Sequence, residues 1–116
     1  MMRTAEALAK REGCEAIVMG DSLGQVASQT LKNIRVEQQA VSIPIIRPLI
    51  GMDKDQIIRV ARDIGTYEIS ILGAGPCGMV PAKPSTEARL RRILEAEAEM
   101  DVGAMVGKAL AGMRKY

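Results

Sequence analysis

The sequence predicts an α/β domain with a small parallel sheet, and three observations carry that prediction. Short apolar runs alternate with stretches whose apolar residues recur every three or four positions, in the order helix, strand, helix, strand, helix, short strand, helix, helix. At one junction, Ile17 to Ile34, an apolar run stops at Gly20, a tight polar turn follows, and helical spacing resumes. Finally, 116 residues with 47% apolar content suit one domain with a modest core.

The first helix is predicted over Met1 to Glu12, with Ala5, Leu8, Ala9 and Glu12 on one face and Gly13 as its terminating residue. It begins directly on its apolar pattern, without a capping residue, so a longer natural helix is expected. Cys14 reads as a small, partly buried filler. A strand follows at Glu15 to Met19. Ser22 with Gln25 three residues on reads as a capping box, which predicts a second helix starting near Leu23. In open α/β sheets, ligands bind where a strand gives way to a helix, and a helix N-terminus offers free N–H groups to an anion. The turn through Gly20, Asp21, Ser22 and Gly24 is therefore a candidate phosphate-type anion site.

Val41 to Ile50 holds Pro44 and Pro48, so only about Ile45 to Arg47 can pair as a strand before a loop at Pro48 to Met52. Arg47 is a charge inside an apolar stretch. It reads either as a strand-end residue paired to a carboxylate or as a phosphate or RNA contact. Asp53 to Ile64 is the cleanest helix. Asp53 and Gln56 form its capping box, Ile57, Val60, Ala61 and Ile64 its buried stripe, Asp55–Arg59 an exposed pair, and Gly65 its end.

A short strand is predicted at Glu68 to Leu72. It leads into a long loop through Gly73-Ala74-Gly75-Pro76-Cys77-Gly78, and loops of that length carry function or disorder. Cys77, flanked by Pro76 and Gly78, is a candidate nucleophile or sulfur carrier. Ser85 is predicted to cap a helix from Thr86 to about Met100. There Arg89, Arg91 and Arg92 precede Glu95, Glu97 and Glu99, against the preference of the helix dipole. This favours weak RNA binding by the arginines or a plain solvated face. Asp101 starts the last helix, whose stripe is Val102, Met105, Val106, Ala109, Leu110 and Met113. Gly103, Gly107 and Gly112 favour close packing on the sheet or a second subunit.

Composition sets limits. There is no His, and Cys14 and Cys77 lack metal-ligand spacing, which argues against a zinc site or a Ser-His-Asp triad made by this chain alone. The net charge of +2 is too small to establish nucleic-acid binding by itself. No apolar run reaches a membrane span of ~20 residues, and two cysteines make no disulfide framework, so a reducing cytoplasm is the expected compartment.

The run Gly20-Asp21-Ser22-Leu23-Gly24-Gln25-Val26-Ala27-Ser28-Gln29-Thr30-Leu31 resembles the tRNA 4-thiouridine synthetases, also known as thiamine-biosynthesis sulfurtransferases, which usually carry Glu where this chain has Asp21. The resemblance continues through Ile46-Arg47-Pro48-Leu49-Ile50, Met52-Asp53-Lys54, Ile64 to Ile71, Cys77-Gly78 and Pro84-Ser85-Thr86. It implies a partial Rossmann-like, adenine nucleotide alpha hydrolase-type, three-layer domain, with residues 1–116 forming the C-terminal part of a PP-loop ATP-pyrophosphatase domain. The implied chemistry is adenylation of a tRNA uridine with ATP and magnesium, then displacement of AMP by persulfide sulfur from a donor protein. Gly20 and Gln29 match nucleotide-contacting positions, and Cys77 matches the sulfur-transfer cysteine. The family's S-G-G-x-D-S loop, THUMP region and rhodanese domain are not in this sequence. The expectation is a chain that needs a missing N-terminal half, of archaeal type, with a homo-oligomer or a non-catalytic nucleotide- or RNA-binding remnant as alternatives.

Overall fold

The computed structural model describes residues 1–26, 28–73 and 85–114. Its elements run in the order α1 (Met2–Arg11), β1 (Ile17–Val18), α2 (Leu31–Gln38), β2 (Ile45–Ile46), α3 (Lys54–Asp63), α4 (Tyr67–Ser70), α5 (Leu90–Ala98) and α6 (Val102–Ala111). Strands β1 and β2 pair in parallel, Ile17 opposite Ile45 and Val18 opposite Ile46. Flanking bonds extend the ladder, with Ile17 N–H donating to the Pro44 carbonyl and Met19 N–H to that of Ile46. The α/β class with a small parallel sheet therefore holds, with two strands among the described residues.

Helix α1 ends as its sequence implies. Gly13 takes φ +73° and turns the chain back towards β1. Glu6 fastens α1 to the segment leading into β2. One of its carboxylate oxygens accepts from Ser42 N–H at 2.7 Å, Ser42 Oγ at 2.5 Å and Ile43 N–H at 3.2 Å. These donors hold the Glu6 carboxyl down at about 2, against an ordinary 4.5. The apolar face of α6 lies against α1, so Met2, Leu8, Val102, Met105, Val106 and Met113 share one groove. Asp101 caps α6, its Oδ1 accepting from Ala104 N–H at 2.9 Å.

Helix α3 keeps its predicted capping box. Asp53 Oδ1 accepts from Gln56 N–H, and Gln56 Oε1 accepts from Asp53 N–H, both at 2.8 Å. Its expected buried stripe is half-buried at Ile57 and Ala61, while Val60 and Ile64 lie exposed among the described residues. Arg59 donates to the Asp55 carbonyl, not to its carboxylate.

Three elements depart from the sequence reading. The predicted strand at Glu68 to Leu72 is instead the helical turn α4. Gly65 at φ +76° reverses the chain, Thr66 N–H donates to the Ala61 carbonyl, and the Arg62 guanidinium sits 4.6 Å over the Tyr67 ring. Together these fold the segment back on α3, and local bonds win over an alternation that has no partner strand. The helix expected near Leu23 starts at Leu31, where Thr30 Oγ1 accepts from Asn33 N–H. Ser22 caps no helix here; its hydroxyl is turned to the second loop and donates to the Met52 carbonyl at 2.6 Å. The helix expected from Thr86 starts at Leu90, with Arg89 before it and no side-chain cap.

Burial is sparse. Among the described residues only Ala9 and Ser22 are buried, while Val18 and Ile46, neighbours on one face of the sheet, are 68% and 52% exposed. The accessible surface is 9284 Å², whereas a compact monomer of this mass exposes roughly 6,200 Å². The radius of gyration is 16.0 Å, against about 13 Å for a compact domain of this length. Among the described residues the arrangement is open and apolar faces lie uncovered.

Candidate functional site

The two strands end side by side, and the loop after β1 lies across the loop after β2. Three consecutive residues make that join. Arg47 Nε donates to Asp21 Oδ2 at 2.8 Å, Ser22 Oγ donates to the Met52 carbonyl, and Leu23 N–H donates to the Ile50 carbonyl at 3.1 Å. Gly24 takes φ +75°, a turn that disfavours any side chain. Its N–H donates to the Gln29 carbonyl at 2.8 Å and closes the turn. Gly20 differs: its φ is not positive, and a Cβ built there meets nothing within 4 Å. Neither backbone conformation nor packing demands glycine at that position, which opens onto free space at the C-terminal end of the sheet.

Asp21 and Gln29 come together on the wall of a cavity of about 480 Å³, whose other side is made by Ala88, Leu90 and Ile93 around the start of α5. Gly20, Ser22 and Gly24 shape the turn without lining that cavity. Glu37 faces it from α2. Its carboxyl is pushed up, first by burial and then by the Asp21 charge, with Arg47 pulling the other way.

Asn33 is the residue that sequence reading overlooked. Its Nδ2 donates to the carbonyls of Ser28 at 2.8 Å and Ser85 at 2.7 Å, and its Oδ1 accepts from Ala88 N–H at 2.7 Å. Thr30 Oγ1 donates to the Thr86 carbonyl at 2.8 Å, and Lys32 pairs with Glu87. The start of α2 thus grips residues 85–88, which is why Ser85 does not cap a helix. The signal was available in Thr30 and Asn33, a second capping pair three residues apart, but Ser22 and Gln25 competed with it.

The four candidate arginines do not form one patch. Arg47 is 9% exposed at its side chain and is committed to Asp21, at 14%, and to Gln38 Oε1 at 3.3 Å. The carboxylate-paired reading is the one the geometry matches. Arg91 pairs with Glu95 on the exposed face of α5, while Arg89 and Arg92 border a separate shallow depression. Cys14 is exposed, which corrects its reading as a partly buried filler. Cys77 lies outside the described residues. No group of three or more potential metal ligands occurs among the described residues, and no helix there is long and apolar enough to cross a membrane.

Parallel strands ending beneath a glycine-bearing turn define an α/β protein, a class in which ligands bind outside the strands' C-terminal ends. The chain belongs to the thiamine biosynthesis protein (ThiI) family, whose model matches residues 1–102. It is 48% identical over 115 residues to a probable tRNA sulfurtransferase of Alkaliphilus metalliredigens, covering 97% of this chain and 29% of the relative. A Thermus thermophilus relative of the same description is 48% identical over 112 residues, covering 95% of this chain and 28% of the relative. One from Methanothermobacter thermautotrophicus is 51% identical over 102 residues, covering 88% and 26%. A crystal structure of a 4-thiouridine synthetase–RNA complex with bound ATP superposes with a TM-score of 0.91 at 36% identity, covering 98% of this chain and 30% of that one. The chain therefore spans less than a third of the length of the proteins it matches. Near-equal identity to the Thermus and Methanothermobacter relatives does not single out an archaeal type.

Proposed function

We propose that this chain supplies one wall of the adenine-nucleotide site of a tRNA sulfurtransferase, together with the cysteine that handles sulfur. The observation that carries this reading is the likeness, over 98% of the chain, to a 4-thiouridine synthetase bound to RNA and ATP. Gly20 is compatible with it: as at Gly51, Gly73 and Gly107, nothing lies within 4 Å of a Cβ built there, so a ligand can approach the backbone closely.

In the proposed reaction, the C4 oxygen of a tRNA uridine attacks the α-phosphorus of ATP, and pyrophosphate leaves. Persulfide sulfur from a donor protein then attacks C4, and AMP departs with the former C4 oxygen. Cys77 thiolate attacks or resolves the persulfide and can end as a disulfide with the donor. The turn at Gly20 to Gln29 holds the nucleotide's adenosine side, and the pyrophosphate is gripped by the S-G-G-x-D-S loop supplied by the N-terminal half of the same domain. Residues 1–116 are its C-terminal part. Magnesium would come with ATP and neutralise phosphate charge there; Asp21, paired with Arg47, is not assigned as its ligand. The setting is cytoplasmic, where thiols stay reduced. The uncovered Val18–Ile46 face favours association with further polypeptide, either that N-terminal half or a second copy.

The test is to mix residues 1–116 with the N-terminal portion of the Thermus thermophilus relative, ATP, a persulfide donor and unmodified tRNA. 4-Thiouridine should form, and a Cys77→Ser chain should form none. Equal product from Cys77→Ser removes the proposed role of the cysteine, and no product with the unaltered chain contradicts the reading.

A further inference from the structure

The loop bearing Gly20 is not free-standing. Residues 21, 22 and 23 are each bonded to the segment running from Arg47 to Met52, through one ion pair and two hydrogen bonds. Arg47 also holds the last turn of α2 through Gln38. Its side chain is nine-tenths buried, and its Nη2 is buried without a partner among the described residues. A buried pair of this kind is costly to break from one side, because the remaining charge stays out of water. An arginine reaching out to RNA would instead be exposed and free to fork onto phosphate. Asp21 is likewise turned to Arg47, so it is not available as a free carboxylate facing the nucleotide.

We infer that Arg47 is a positioning residue: by holding Asp21 at the end of β1 and Gln38 at the end of α2, it sets the position of the Gly20 backbone against the adenine nucleotide. This rests on the proposed nucleotide site and names what orders it. The Ser22–Met52 and Leu23–Ile50 bonds continue the same brace. The residues lie in two loops, yet they behave as one unit because each bond crosses between the ends of paired strands.

The experiment uses a chimera in which residues 1–116 replace the matching segment of the full-length Thermus thermophilus relative. The variants are Arg47→Met, Asp21→Ala, the double variant and Arg47→Lys. A thermal melt of each reports folding. The double variant removes both charges and guards against a fold lost to one orphaned charge. Arg47→Met and Asp21→Ala should each raise KM for ATP about tenfold, which corresponds to about 1.4 kcal/mol of lost binding. kcat should stay within about twofold, the pattern of lost substrate binding. KM for tRNA should not move. The double variant should lose no more than either single one, since both break the same pair. Arg47→Lys should recover part of the loss. Additive losses, an unmoved KM for ATP, or a raised KM for tRNA with Arg47→Met alone would overturn the inference, the last by making Arg47 an RNA contact. If the unaltered chimera makes no 4-thiouridine, the proposed function fails separately. Amide exchange at Leu23 still decides the brace: faster exchange in folded Arg47→Met supports it, and unchanged exchange overturns it.

Discussion

Replacing Asn33 with Ala removes the side chain that, beside Thr30 and Lys32, joins the start of α2 to residues 85–88 at both Ser85 and Ala88. Three hydrogen bonds go with it: Nδ2 to Ser28 O, Nδ2 to Ser85 O, and Ala88 N–H to Oδ1. Each such bond is worth about 0.5–1.5 kcal/mol net, and water can replace the exposed ones, so the lower part of the summed range applies, about 2 kcal/mol. Asn33→Asp separates donor from acceptor. It keeps an oxygen for Ala88 N–H but sets a carboxylate against two carbonyls at 2.7–2.8 Å. At neutral pH it should cost about as much as Asn33→Ala, and it should recover on acidification, when the protonated carboxyl can donate to one carbonyl. Urea titration of the chimera measures the loss, and amide exchange at Ala88 locates it. A change within about 0.5 kcal/mol, the scatter of surface substitutions, together with unaltered Ala88 exchange, would refute the assignment of Asn33 as the joint.

Three further outcomes follow from the geometry. Asp53→Ala removes half of the α3 capping box and should destabilise by about 1 kcal/mol, read from the urea midpoint, with Asp53→Ser recovering most of it. Glu6 has a folded-state pKa of about 2, below its ordinary 4.5, so its contribution is fully present above about pH 4.5 and is lost as pH falls towards 2. Acid titration of Glu6→Gln should therefore show a deficit at neutral pH that closes below pH 2, and a constant deficit would contradict the Ser42 and Ile43 bonds as its source. Residues 1–116 alone should bind a hydrophobic dye and sediment as more than a monomer at high concentration, given the exposed Val18, Ile46, Ile64, Ile69 and Leu72. A monomeric, dye-silent chain would show that those side chains find cover within it.

Much of this fold is legible in the sequence where the determinants are local. The α3 capping box, the Asp101 cap of α6 and the turns at Gly13 and Gly65 are each set by residues within four positions of one another. The pairing of Ile45 and Ile46 is bounded by prolines that any reader of the sequence can see. The misreadings arise where a distant contact outbids a local signal. Ser22 looks like a cap until Met52 accepts its hydroxyl, and Ser85 looks like one until Asn33 takes its carbonyl. Glu68 to Leu72 reads as a short strand, but Arg62 draws Tyr67 back to α3. The stripe of α3 is a true amphipathic signal whose covering surface is not among the described residues. At the site, the glycine-bearing turn could be picked out from residue type and position, and Gln29 from the family resemblance. For Arg47 a carboxylate partner could be expected but not identified, because Asp21 lies 26 residues away in another loop.

The central claim is that residues 20–29 form a wall of an adenine-nucleotide site, and photolabelling tests it most directly. The chimera is irradiated with azido-ATP and digested, and the labelled peptides are identified by mass spectrometry. Label on the peptide spanning Gly20 to Gln29, competed away by unlabelled ATP and reduced in Arg47→Met, is the predicted result. Competable label confined to peptides outside that stretch would contradict the account.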